Sequence, residues 1–230
     1  QKNGDTWTRS TTFTVKKATN PNIQIQYDFS KLVCGQKLSA SDLVTGVKVF
    51  GIGEDANKEL EVDKTAHYFR MYENNNFSYS TNDSVTINAT YSYKMNSVVS
   101  LKENPNYEVG TVSVGGIGTA YDIEGSTLHK PVKNQCTVSA KNVTVDYSNS
   151  IHDFSSNVEV KDAFGNILQP GELTYKVKYK KDGTDTLVDQ IEDAGTYTYV
   201  IDMNDNIYTL ESQPSETITV NKIYGSISIA

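Results

Sequence analysis

Two cysteines, Cys34 and Cys136, are all that 230 residues contain. That scarcity excludes a disulfide-dense scaffold and a cysteine-based zinc site, whose ligands must cluster. One bridge between the two and two separate thiols both fit the sequence. The three histidines, His67, His129 and His152, lie far apart, and none stands in a metal-ligand or triad spacing. Positive charge is also in deficit, with 21 Lys and Arg against 28 Asp and Glu and a net charge of -7. Nucleic acid is therefore not an expected partner, because phosphate binding needs a clustered positive field. No run approaches the roughly 18 consecutive apolar residues that would cross a bilayer, so no membrane insertion is expected in this segment. Starting at Gln1 with no signal-peptide pattern, the chain reads as a mature piece or an excised fragment.

Catalytic patterns are equally thin. Glu54-Asp55 and Glu192-Asp193 are acidic pairs in polar turns, and a glycosidase pair would need distant partners. The stretch from Gly110 to Gly118 lacks the lysine and the helix of a phosphate loop. No enzyme is expected, and no cofactor.

What the chain does contain is alternation. Val, Ile, Tyr and Thr dominate, which favours pleated strands over helices. Three segments read as the same junction, each a period-two strand ending near lysine, a short link, and a new period-two strand. These are Thr12-Phe13-Thr14-Val15-Lys16-Lys17 into Asn22–Tyr27, Thr137-Val138-Ser139-Ala140-Lys141 into Asn142–Tyr147, and Thr217-Ile218-Thr219-Val220-Asn221-Lys222 into Ser226–Ala230. Matching junctions at unequal intervals indicate tandem repeats with insertions. The expected organisation is 1–17, the tail strand of a preceding repeat or the first strand of domain one; 18–140, domain one with insertions; 141–222, domain two; and 223–230, the start of a following repeat. Few contacts are expected across Lys141.

The second repeat is the cleaner. Leu173 to Tyr179 places four apolar side chains on one face and three polar ones on the other, a half-buried antiparallel strand. Asp182-Gly183 after it is a hairpin signal, and Asp162 to Asn166 carries turn residues. The first repeat is longer, with a surplus in 52–64 and 110–130, and Ser39 to Val44 suits one short helical turn.

Asp193-Ala194-Gly195-Thr196-Tyr197-Thr198-Tyr199 then supplies the sharpest motif. In an immunoglobulin-type sandwich a tyrosine opening a late strand returns its hydroxyl to the backbone of the preceding corner. Tyr197 occupies that position behind Asp193, and Asn88-Ala89-Thr90-Tyr91-Ser92-Tyr93 is a weaker copy. With Ala194-Gly195-Thr196-Tyr197 and the closing Thr217–Lys222 strand, the chain resembles the tandem bacterial immunoglobulin-like repeats of large cell-surface and adhesin proteins. The match covers 141–222 well, and the first repeat at its ends and around Ala89 to Tyr93. The resemblance implies an all-β chain of two tandem immunoglobulin-like β-sandwich domains arranged end to end. It also implies an extracellular, bacterial cell-surface location and a non-enzymatic spacer, stalk or adhesin role beside adjacent repeats of the same chain.

Other residues suggest ligands. Tyr68, Tyr72, Tyr79 and Tyr121 are candidate stacking platforms for a host or dietary glycan, making a carbohydrate-binding module the alternative function; a surface protein is a further candidate partner. Core packing competes, since tyrosine is an ordinary strand residue with an apolar body. Asp202, Asn204, Asp205 and Asn206 offer the hard oxygens calcium requires, though the same residues are turn formers. Lys141 and Asn221 lie on the expected first and last strands of domain two, the arrangement of an intramolecular isopeptide bond promoted by Glu172 or Asp193.

Overall fold

The computed structural model describes residues 11–113 and 119–224, and among them no helix reaches seven residues. The protein is mostly β. Trp7, Gly115-Gly116, Gly118 and most of the 223–230 segment lie outside the described residues.

The first strands in chain order are β1 (Asn22–Tyr27), β2 (Lys37–Leu38), β3 (Val44–Phe50), β4 (Val62–Glu73), β5 (Asn76–Thr81), β6 (Val85–Thr86), β7 (Tyr91–Leu101), β8 (Val112–Ser113) and β9 (Thr119–Glu124). Five of them form a sheet in the order β5-β4-β7-β9-β8, while β1 pairs with β3 and β2 with β6. Long alternating sequence explains why β4 and β7 are its centre. Phe69, Met71, Tyr93, Met95, Val99 and Leu101 point to one face and are all but fully buried. Leu38, Leu43 and Ile87 cover that face at one end, and Ile23, Ile25, Val47 and Val49 from the β1–β3 pair cover it at the other. A 3-10 turn, Ala40–Leu43, stands where the sequence allows a helical turn. Asp42 Oδ2 accepts from the Ser39 amide at 2.6 Å and closes it.

Asn74 and Asn75 join β4 to β5 with φ of 48° and 65°. Asparagine tolerates this left-handed region better than other residues with a Cβ, and two in succession suit a tight hairpin. Two residues later a bulge shifts the register, so Phe77 faces Tyr72 while Tyr79 faces Met71. Phe77 and Tyr79, two apart, therefore lie on opposite faces of the sheet. Gly110 is required by close approach: a Cβ there would meet the Ala120 backbone at 2.2 to 2.4 Å.

The remaining strands are β10 (Asn134–Ser139), β11 (Val143–Asp146), β12 (Glu159–Lys161), β13 (Ile167–Leu168), β14 (Tyr175–Lys181), β15 (Leu187–Val188), β16 (Gly195–Met203), β17 (Tyr208–Leu210) and β18 (Thr217–Asn221). They make two sheets, β13-β12-β10-β17 and β11-β18-β16-β14-β15. Cys136 and Val160 from the first pack with Tyr175 and Ile201 from the second in one apolar cluster. Phe154, Tyr179, Ile191, Tyr197, Tyr199, Ile218 and Val220 form another. Ile218 is fully buried, a gain of roughly 2 kcal/mol over leaving it in water. Gly183 takes a φ of 72° in the Asp182-Gly183 turn, as a hairpin there requires. In the turn between β12 and β13, Asp162 Oδ1 accepts from the amides of Phe164 and Asn166 at 2.9 and 2.8 Å.

Several expectations change. Thr11 to Lys17 alternates but forms no strand; Phe13 and Val15 are each 82% exposed. Pairing begins only at Ala18, which bridges Tyr107. Alternation permits a strand, and a ladder partner makes one. Leu173 lies outside β14 and is 75% exposed, because the backbone turns at Gly171 to Thr174. The strand before Lys141, β10, expected to close the first unit, pairs antiparallel with β12 and parallel with β17. Its ladder thus crosses the position where the sequence places a boundary. Period two reveals that a segment is a strand and carries no information about its partner.

Candidate functional site

Tyrosine hydroxyls organise the loops of this protein. Tyr197 is buried and donates to the Asp193 carbonyl at 3.0 Å. Tyr199, one strand step on, donates to the Lys141 carbonyl at 3.0 Å. Tyr179 accepts from the Phe154 amide and donates to Asp153 Oδ1, both at 2.8 Å. Burial and the neighbouring carboxylate raise its phenol well above the ordinary range. In the first half Tyr93, and not Tyr91, reaches back to the preceding corner, accepting from the Asn88 amide at 2.9 Å. Burial raises the Tyr93 hydroxyl to about 12. Tyr107 accepts from the Ile52 amide at 2.9 Å. Each ring fills core while its polar tip satisfies loop backbone, so the interior contains few unmatched groups.

The four candidate glycan tyrosines do not form one platform. Tyr121 is 6% exposed, faces the core beside Val99, and donates to the Glu108 carbonyl at 2.9 Å. Tyr79 is turned by the bulge to the face of Met71 and meets Tyr91 edge-on. Tyr68 and Tyr72 share the opposite, outer face of the sheet, half-buried. Three residues there escape a search limited to tyrosine. Phe77 is 51% exposed and perpendicular to Tyr72, with centroids 5.7 Å apart. Arg70 Cζ stands 4.9 Å from the centre of the Phe77 ring, and Lys94 Nζ 5.5 Å from that of Tyr72. Arg70 also pairs with Glu124 at 2.5 Å. Asn96 lies between Tyr68 and Glu124 in register, and its Oδ1 is buried without a hydrogen-bond partner. The cross-strand register could have been read from the alternation of β4 and β7; the position of Phe77 could not, because the bulge breaks parity.

The calcium candidates lie at the end of β16 and in the turn that follows it. Asp202 pairs with Lys178 at 2.7 Å. Asn204 Nδ2 donates to the Leu173 carbonyl, its amide donates to the Thr174 carbonyl, and its own carbonyl accepts from the amides of Ile207 and Tyr208. Its Oδ1 accepts from the Asn206 amide at 3.3 Å. The isopeptide pair is not brought together: Lys141 is exposed, and Asn221 lies opposite Asp146 and donates to it at 3.0 Å. Glu172 pairs with Lys176, while Asp193 is 3.6 Å from Lys181.

Both cysteines are buried with free thiols. Burial raises Cys34, and raises Cys136 to about 11, which leaves the reactive thiolate rare at neutral pH. Between the two lies Asn134, 1% exposed. Its Nδ2 donates to the Cys34 carbonyl at 3.1 Å, its Oδ1 accepts from the Ala163 amide at 2.9 Å, and its own amide donates to the Ile207 carbonyl at 2.8 Å.

The histidines stay apart. His67 is buried and shares a hydrogen bond of 2.7 Å with Ser97 Oγ, which meets the Tyr27 hydroxyl at 2.7 Å. His129 stacks on Phe29 with centroids 3.5 Å apart, and His152 bonds Ser148. Desolvation lowers both His67 and His129. An open groove of about 600 Å³ lies where β10 bends into β11, lined by Ala140, Lys141, Asn157, Glu159, Ile167 and Tyr175 among others. Neither histidine nor cysteine lines it. No protein-family model matches this chain, and no curated protein or solved structure matches it either.

Proposed function

We propose that this chain is a non-enzymatic spacer or adhesive segment of an extracellular bacterial surface protein, built as two tandem immunoglobulin-like β-sandwich units placed end to end. The support is the corner tyrosine Tyr197, the closing β18 strand, and the shared core of the two C-terminal sheets. The observation that carries the reading is Asn134. Its side-chain amide ties the Cys34 loop of the first half to the Ala163 turn of the second, and its backbone amide bonds the Ile207 carbonyl. A spacer needs a joint of defined geometry, and a buried amide bonded through both its nitrogen and its oxygen is a directional way to fix one. The units then meet near Asn134, a few residues earlier than the repeat pattern implies.

Small-angle scattering of the 230-residue chain tests this. An elongated particle with a well-defined maximum dimension is expected, and the Asn134→Ala variant should scatter as a looser, more variable rod. A compact globule overturns the end-to-end arrangement. A hydrolase activity on polysaccharide or peptide that a single Asp or Glu substitution abolishes overturns the non-enzymatic reading.

A further inference from the structure

We propose that the outer face of the β5-β4-β7-β9 surface binds a neutral polysaccharide lying along β4. This extends the adhesive side of the function proposed above, and it stands or falls separately from the spacer side, which turns on particle shape.

Three features point to this ligand. First, Tyr68, Tyr72 and Phe77 put aromatic surface on one face, and Phe77 is 51% exposed. The C–H face of a sugar ring is apolar and matches such surface, while its hydroxyl rim demands polar neighbours. Tyr68 and Tyr72 are four residues apart on one strand, about 13 Å at the usual rise per residue. That span exceeds one sugar ring and suits a chain of them.

Second, the rings are held before any ligand arrives. Arg70 lies over Phe77, Lys94 over Tyr72, and the two rings brace each other at 72°. Fixed side chains lose less entropy on binding.

Third, the charges on this face are already matched. Arg70 and Lys94 both approach Glu124, at 2.5 and 3.8 Å. Asp122, in register with Val98 on the same face, adds a second carboxylate against these two cations, so the face has little to attract a polyanion. Arg70 and Lys94 offer N–H donors to hydroxyls.

Affinity electrophoresis through gels containing mixed-linkage β-glucan, galactomannan, xylan or pectin provides the test. Retardation is expected in at least one of the three neutral polymers. Tyr72→Ala and Phe77→Ala should each raise the Kd about tenfold or more, and Tyr224→Ala, an exposed tyrosine elsewhere, should leave it unchanged. Amide chemical-shift mapping of the unmodified chain with an oligosaccharide of the retarding polymer gives a readout independent of variant folding; changes should centre on Tyr68, Arg70, Tyr72, Phe77 and Asn96. No retardation in any neutral polymer, retardation only in pectin, or shifts centred elsewhere overturns the proposal.

Discussion

The hydroxyl of Tyr199 donates to the carbonyl of Lys141 at 3.0 Å, across 58 residues of sequence. It pins the bend between β10 and β11 to the centre of the β16 strand. Both strands keep their places in different sheets because the bend between them is held.

Tyr199→Phe should therefore destabilise the protein by about 0.5–1.5 kcal/mol, since the Lys141 carbonyl loses its donor while the ring remains. Tyr197→Phe should cost a similar amount through Asp193. Urea denaturation reads both as a lower midpoint with an unchanged slope. A midpoint equal to that of the unmodified chain would remove the corner role from the tyrosine concerned.

Gly110→Ala and Gly183→Ala should behave very differently. At Gly110 the new methyl meets Ala120 backbone, which cannot swing aside, so a loss of more than about 2 kcal/mol or failure to fold is expected. At Gly183 no atom lies within 4 Å and only the positive φ resists, for about 1 kcal/mol. Thermal unfolding of the pair decides; equal melting temperatures would contradict the packing described between Gly110 and β9.

Stability should fall as pH drops below about 6.5. Desolvation depresses His67 and His129 in the folded state, so the unfolded chain binds protons first, and the stability their neutral forms contribute is present above the unfolded pKa and lost on acidification through the folded one. His67→Asn should flatten the dependence of the denaturation midpoint between about pH 7 and 5, leaving the His129 share. An unchanged slope would show that His67 titrates normally. Asp28 and Asp42, whose carboxyls are lowered by hydrogen bonds from Ser30 and Ser39, act only in the separate window below about pH 4.

Native Cys34 and Cys136 should react with a thiol reagent at neutral pH far more slowly than in urea, because each is buried and its pKa is raised. Mass spectrometry after alkylation in urea should show two modified thiols; a chain that takes up none without reductant is cross-linked.

Much of this was legible as pattern. The β16 and β18 strands, the Asp182-Gly183 turn and the helical turn after Ser39 follow from side-chain order and from the φ that glycine permits. Pairing was not legible. Thr137 to Lys141 and Thr12 to Lys17 carry nearly the same alternation, yet Thr137 to Ser139 pair with β12 and Thr12 to Lys17 pair with nothing described. Ladder partners depend on loops and on which apolar faces meet, and neither is local. The outer sheet face was half visible. Tyr68 and Tyr72 follow from parity, whereas one extra residue at the β5 bulge separates Phe77, on that face, from Tyr79 on the other.

Strand β11 lies early in the second half and β18 at its end, and they run parallel from Val143–Ile218 to Asp146–Asn221. Tension along the chain would draw them in opposite directions along their common axis. Their bonds would then bear load side by side instead of opening one after another from an end. Pulling from a point within the edge strand β15, by contrast, would peel it away. The same fold should thus resist force differently according to where it is gripped, and it is strongest along the direction in which its own backbone continues.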